Sequence, residues 1–108
     1  MATPQLDAVF NALASSSRRE IVRRLARGAM TTAQIGRHFA FTKQALSRHI
    51  ALLEEAGLIA RTTTHGRVHE LTLVPHPLDQ VAQWVQHLRR GWTASLDRLD
   101  DVLRAHDA

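Results

Sequence analysis

The stretch TTAQIGRHFAFTKQALSRHIALLEEAGLI, residues 31–59, predicts two short helices in succession. Thr31 and Gln34 have the spacing of a capping box, in which each side chain satisfies a backbone N–H of the other residue at a helix start. We therefore expect one short helix to begin here and to run through Ile35 and Phe39.

The second helix of this stretch is marked at both ends. Thr42 can cap its N-terminus, and Gly57 can end it, so the predicted helix runs from Lys43 to about Ala56. Two short capped helices joined by a turn of a few residues form a helix-turn-helix. This motif decides the fold that we predict.

The two faces of the helix at 43–56 differ in chemistry. Leu46, Ile50 and Leu53 follow the i, i+4, i+7 spacing of a buried face. The opposite face, which has no acidic residue before Glu54, carries Thr42, Lys43, Gln44, Ser47, Arg48 and Ala51. Gln pairs with adenine edges and Arg or Lys with guanine edges in the major groove of DNA. The alternative is that this is only the polar outer face of any amphipathic helix.

Two more helices are predicted before this motif. Apolar residues at helical spacing indicate a first helix over residues 5–14. Ser17 and Glu20 form a second capping-box pattern, and the helix that follows would end at Gly28. Its basic residues Arg18, Arg19 and Arg23 are candidates for phosphate contacts, or they only solvate the helix.

A β-hairpin is predicted at about residues 58–73. The segments LIARTTT and RVHELTL flank His65–Gly66, which we interpret as a two-residue hairpin turn. Arg61, His65 and Arg67 cluster near this turn, where a wing would lie beside the DNA backbone. By itself the cluster is equally typical of a solvated turn, but next to a helix-turn-helix it predicts a winged helix.

A long final helix is predicted at about residues 77–104. Its apolar residues follow a heptad spacing typical of helix-on-helix packing: Leu78, Val81, Val85, Leu88, Trp92, Leu99 and Val102. Such a helix would span about 40 Å, which is too long for so small a domain to cover. We therefore expect these residues to form a dimer interface. The alternative is a helix folded back on its own core.

Length and composition set the class of protein. With 108 residues, the chain is expected to be a single domain, mainly α with a small β-hairpin, in the order α-α-α-α-β-β-α. Residues 1–67 hold ten basic and four acidic residues, and residues 68–108 hold four basic and six acidic ones. A basic N-terminal part favours a polyanionic partner. There is no cysteine, no apolar run that spans a bilayer and no enzyme motif, so we expect a cytoplasmic protein that is not an enzyme.

Over residues 5–104 the sequence resembles the ArsR/SmtB-type winged-helix repressors. The matching stretches are ALASSSRREIVRRLARG, the helix pair already quoted, and GRVHELTL. The segment ALSRHIALLEEAGLI is the most specific, because a small residue, Ser, a basic residue, His and an aliphatic residue recur in that order in the family's recognition helix. The resemblance implies a homodimeric, sequence-specific repressor that binds an operator in double-stranded DNA, with no cofactor and an unknown inducer.

Histidines raise one further possibility. Some members of the family sense metals through His and acidic ligands on the last helix, and His76 and His87 have the spacing of two such ligands. The flanking ligand positions hold Val74 and Arg90, which do not bind zinc, and the family's cysteine sites are impossible here. We predict no metal site, with His76 and His87 as weak candidates. The alternative functions are therefore a His-based metal-sensing repressor and a winged-helix module that binds protein.

Overall fold

The computed structural model describes residues 4–64, 66 and 68–107 of the chain. The elements are α1 (Pro4–Leu13), α2 (Ser16–Leu25), β1 (Met30–Thr31), α3 (Thr32–Arg37), α4 (Lys43–Glu55), β2 (Ile59–Thr64), β3 (Val68–Leu73) and α5 (His76–Asp107). This order confirms the predicted winged helix-turn-helix, with one strand added between the second and third helices.

The described residues form two compact units that divide between Leu78 and Asp79. The first unit contains α1 to α4, the sheet and the start of α5, and the second is the remainder of α5. The final helix is longer at both ends than the predicted 77–104. None of the described helices has the length and apolar character needed to cross a membrane.

The core of the first unit joins every helix in it to the sheet. Ile50 and Leu53 of α4 are almost fully buried, as the spacing in the sequence predicts. They share the interior with Leu6, Val9, Ala12, Ile21, Val22, Leu25, Ile35, Leu46, Ala56, Leu58, Ile59 and Leu71. Burying each large apolar side chain contributes about 1.5–3 kcal/mol, so this interior holds α4 with one face inward.

The sheet has three antiparallel strands in the order β1-β3-β2. Strand β1, which the sequence analysis missed, pairs Met30 with Leu71 and Thr31 with Glu70. Thr31 is also the N-cap of α3. Its hydroxyl accepts a hydrogen bond from the Gln34 N–H at 3.1 Å, and Gln34 Oε1 accepts one from the Thr31 N–H at 2.8 Å. The predicted capping box is confirmed, and it joins the sheet edge directly to the start of α3.

Helices α3 and α4 approach closely at Gly36. A Cβ atom at this position would lie 3.3 Å from Leu46 Cδ2, which is tighter than ordinary contact. We predicted that helix α3 runs through Phe39, but it ends at Arg37. Phe39 lies in the turn that follows and stacks on Phe41. Helix α4 ends as predicted, with Gly57 at a φ of +78°, a conformation that glycine adopts without strain.

The predicted capping box at Ser17 and Glu20 is wrong. Helix α2 begins at Ser16, and Ser15 is the cap, with its hydroxyl accepting from the Arg18 N–H at 3.3 Å. Glu20 lies inside the helix and pairs with Arg23 and Arg24 of the following turn. Helix α2 also ends at Leu25, before the predicted Gly28.

The hairpin turn is one residue longer than predicted. Thr64 pairs with Val68, so three residues connect the strands where we expected His65–Gly66 alone. Gly66 has a φ of +79°, a left-handed conformation that glycine adopts without strain. His65 and Arg67 lie outside the described residues.

Candidate nucleic-acid interface

Helix α4 presents its predicted polar face to solvent. Thr42 caps the helix through a 3.0 Å hydrogen bond from the Ala45 N–H to its hydroxyl. Leu46, Ile50 and Leu53 hold the opposite face in the core. The exposed residues are all six of the predicted set: Thr42, Lys43, Gln44, Ser47, Arg48 and Ala51.

The polar side chains that follow Thr42 on this face have no hydrogen-bond or ion-pair partner among the described residues. Among the described residues, no hydrogen bond or ion pair occupies the side chains of Lys43, Gln44, Ser47 or Arg48. The first carboxylate along α4 is Glu54, at the far end of the helix. An uninterrupted set of free donors and acceptors with positive charge is therefore available at the N-terminal half of α4.

Arg61, predicted to contact DNA from the wing, has a partner within the chain. Its Nη2 lies 2.7 Å from Glu54 Oε1, and 41% of the side chain remains exposed. The contact joins β2 to the end of α4. To bind a phosphate, the Arg61 guanidinium must either use its remaining donors or break its ion pair with Glu54. The other two predicted wing residues, His65 and Arg67, lie outside the described part of the chain.

The three arginines of α2 considered for phosphate contacts bind groups of the protein itself. Arg19 Nη1 donates to the Leu13 carbonyl at 2.7 Å. Arg23 donates twice to Glu20, at 2.8 and 2.7 Å, and these hydrogen bonds hold the pKa of Glu20 below its ordinary value. Arg18 donates to the Ala12 carbonyl at 2.6 Å through Nε and to the Asn11 carbonyl at 3.2 Å through Nη2. Arg18 and Arg19 thus satisfy backbone carbonyls at the end of α1.

His49 is a partly buried residue of α4. Arg18 Nη1 lies 3.2 Å from its Nδ1, and the Phe41 ring lies 4.8 Å away between centroids. Burial, followed by the charges of Arg18 and Arg48, lowers the pKa of His49 below its ordinary value of 6.5. The lowered pKa favours the neutral form of the ring near pH 7.

The turn between α3 and α4 is ordered by ring contacts. Phe39 and Phe41 stack with centroids 4.9 Å apart, and the Arg24 guanidinium lies 5.8 Å above the Phe39 ring. Together with His49 these groups connect α2, the turn and α4. Sequence reasoning missed this cluster, although two aromatic residues in a polar turn were a visible signal.

In the second unit, α5 exposes an apolar stripe. Trp92 is 66% exposed and Leu88 is 57% exposed. The other large apolar residues exposed along the helix are Trp84, Val85, Leu96, Leu99, Val102 and Leu103. Five of the seven predicted interface residues are in this set, whereas Leu78 and Val81 are half-buried. So large an apolar surface on one helix is typical of a contact with a partner.

His76 and His87 are both exposed on α5. Within the described ranges, no three His, Asp or Glu side chains gather closely enough to hold a metal ion. Neither histidine therefore belongs to a ligand set formed by these residues alone.

Several known proteins are similar to this chain in sequence or in fold. A family model described as a helix-turn-helix domain matches residues 13–62. The HTH-type transcriptional regulator Rv2034 of Mycobacterium tuberculosis is 35% identical over 66 residues, which cover 60% of this chain and 62% of that protein. The chain thus matches less than two thirds of the length of this curated relative.

Solved structures extend the likeness over most of the chain. The crystal structure of an ArsR family transcriptional regulator, RHA00566, has a TM-score of 0.79 and 30% identity, covering 86% of this chain and 97% of that one. An ArsR-like transcriptional regulator from Rhodococcus sp. RHA1 also has a TM-score of 0.79, at 22% identity, covering 91% of this chain and 92% of that one. The second likeness shows the fold alone.

Proposed function

The chain belongs to the ArsR family of transcriptional regulators, and we propose from this premise that it represses transcription as a dimer that binds a specific operator in double-stranded DNA. The observation that carries the proposal is the outer face of α4. It combines free basic and amide side chains, no carboxylate before Glu54, and an opposite face that is buried in the core through Leu46, Ile50 and Leu53.

We assign base readout to the first turns of α4. A recognition helix contacts base edges with its N-terminal residues. Gln44 has the chemistry to pair with adenine, and Arg48 and Lys43 to pair with guanine, while Thr42 and Ser47 serve bases or phosphates. The wing residues Arg61, His65 and Arg67 would contact the flanking phosphates, which position the protein without reading sequence.

Salt dependence tests whether the partner is DNA bound through its phosphates. We expect the affinity for duplex DNA to fall steeply as salt rises, because Lys and Arg contacts release counterions, with a loss of about 10³–10⁵ between 50 and 200 mM for six to ten contacts. Fluorescence anisotropy with a labelled duplex measures this. Affinity that is independent of salt, or equal for a neutral polymer, would contradict the proposal.

The stripe on α5 supports a symmetric dimer. About a point between Thr93 and Ala94 the seam is partly symmetric. Val85 has its counterpart in Val102 and Leu88 in Leu99, and Trp92 has its counterpart in Ser95. A two-fold axis at that point brings each residue opposite its match on an antiparallel second copy. The large Trp92 then faces the small Ser95, which favours interdigitated packing.

Charge favours the same antiparallel arrangement. Residues 79–93 hold two basic residues and one acidic residue, and residues 94–108 hold two basic and four acidic residues. Antiparallel pairing places the basic half of one helix beside the acidic half of the other, whereas parallel pairing would place like charges together. The proposed interface therefore has one preferred direction.

Added cysteines test this direction, since the chain has none of its own. A variant with both Leu88→Cys and Leu99→Cys should form an intersubunit disulfide, because these positions would come within bonding range in the antiparallel dimer. Leu88→Cys alone should not cross-link. Non-reducing gel electrophoresis after mild oxidation measures the outcome.

The matched control for this experiment uses the polar face of α5. Arg90→Cys with Asp97→Cys is symmetric about the same point but lies on the opposite face of the helix, so it should remain monomeric on the gel. Efficient cross-linking of Leu88→Cys alone would indicate parallel pairing and would contradict the proposed axis.

We propose repression and not activation, because repression requires only that the dimer occupies its operator. A protein that occupies its operator excludes other proteins from that DNA without any further contact. The cytoplasmic location expected from the sequence agrees with a DNA partner.

A further inference from the structure

The Arg18 side chain lies where three helices meet. It starts on α2, donates to the carbonyls of Ala12 and Asn11 at the end of α1, and reaches His49 on α4 with Nη1 at 3.2 Å from Nδ1. A planar guanidinium with several fixed donors suits such a branched junction, whereas a lysine ammonium does not have this geometry. Arg18 thus connects the end of α1 to the middle of the helix that we propose reads DNA.

The chemistry of this contact fixes the state of the imidazole. A guanidinium only donates, so Nδ1 must be the unprotonated acceptor, and in the neutral ring the proton is on Nε2. A proton on Nδ1 would place donor against donor and cation against cation at the same distance. The hydrogen bond therefore exists only while His49 is neutral.

The other groups around His49 also oppose its protonation. Arg18 faces it from α2 and Arg48 adds charge from its own helix, while the turn contributes the Phe41 ring. The α1 groups at this junction are the uncharged backbone carbonyls that hold Arg18. Within the described part of the chain, no carboxylate is among the groups that shift His49.

We propose that Arg18 is a positioning residue for α4, and that protonation of His49 breaks the Arg18–His49 hydrogen bond and weakens operator binding. The inference rests on the proposed function. His49 lies in sequence between the exposed Arg48 and the buried Ile50. Displacement of its ring away from Arg18 would therefore shift the part of α4 that carries Ser47 and Arg48.

The direction of the pH effect follows from the lowered pKa of His49. In the unfolded chain this residue takes up a proton around its ordinary value of 6.5, whereas in the folded protein burial and the two arginines delay protonation to lower pH. The stabilisation is complete above pH 6.5 and is lost as the pH falls below that value towards the folded pKa. Operator affinity should fall in the same direction.

The first test compares operator affinity from pH 8 to pH 5.5, at constant ionic strength, for the wild type and His49→Gln. Glutamine keeps an acceptor oxygen and cannot be charged in this range, and the remaining histidines are present in both proteins. We expect the wild-type dissociation constant to rise about fivefold or more relative to that of His49→Gln, at the lower end of allosteric couplings. A constant ratio across the range would overturn the proposal.

Two further results bear on the same claim. If His49→Gln is folded but does not bind the operator at pH 8, a neutral acceptor is insufficient and the proposal is wrong. Arg18→Lys should keep the helical signal at pH 8 yet bind the operator more weakly than the wild type, because one ammonium cannot serve all three acceptors. Undiminished binding by folded Arg18→Lys would remove the positioning role.

A measurement without DNA separates this proposal from the proposed function. The ¹⁵N chemical shifts of the His49 ring at pH 8 should show an unprotonated Nδ1 and a protonated Nε2. The opposite tautomer would overturn the Arg18 link even if the operator is bound. Failure of the wild type to bind any DNA at pH 8 would instead reject the proposed function.

Discussion

Replacing Trp92 with Asp is expected to make the protein monomeric and to reduce its operator affinity by a factor of about 100 or more. Trp92 is 66% exposed on the single chain and lies close to the proposed two-fold axis. Burying a large side chain is worth about 1.5–3 kcal/mol, and the dimer would lose this contribution twice. The substitution would also bury two uncompensated carboxylates near each other.

Loss of the dimer should reduce DNA binding although no residue of α4 has changed. One recognition helix reads only a few base pairs, whereas a dimer reads two half-sites about one helical turn apart. Sedimentation measures the oligomeric state, circular dichroism the helical content, and anisotropy the operator affinity. Thr93→Asp, which adds the same charge at the neighbouring position on the polar face, is the control and should remain dimeric. A dimeric Trp92→Asp protein would contradict the assignment of α5 as the interface.

Replacing Arg48 with Ala is expected to relax base preference. The loss at the cognate site should be about 1–3 kcal/mol, or roughly 5- to 150-fold, because a bidentate contact to a base edge is removed. Binding to unrelated DNA should fall much less, so the ratio of specific to non-specific affinity decreases. Gln44→Ala should have the same effect at a different base pair.

The matched comparison for Arg48→Ala is Arg67→Ala in the wing. A lost phosphate contact should weaken binding almost equally on all sequences and reduce the salt dependence by about one charge. Competition anisotropy with the cognate duplex and a scrambled duplex distinguishes the two classes. If Arg48→Ala leaves the specificity ratio unchanged, Arg48 does not read a base.

The features that the sequence predicted correctly depend on local interactions. The Thr31–Gln34 capping box, the Thr42 cap and the buried face of α4 each involve residues within two helical turns. Their spacing alone reveals them. The six residues of the exposed face of α4 followed directly, because they occupy the positions that the buried face leaves.

The features that it missed depend on distant partners or on a choice among equivalent residues. Strand β1 is two residues long and is defined by pairing with Leu71 and Glu70, far along the chain. Ser15 and Ser17 both offer a hydroxyl for capping, and the pattern could not select between them. Arg18 resembled a surface arginine because its acceptors on α1 and α4 meet only in the folded protein.

The most direct test of the central claim is selection of DNA by the purified protein from a random duplex library. We expect enrichment of one sequence with two inverted half-sites whose centres are one helical turn apart, bound by one dimer. Selection by Arg48→Ala should lose preference at one position in each half-site. Recovery of no preferred sequence would contradict sequence-specific DNA binding and would favour a winged-helix module that binds protein.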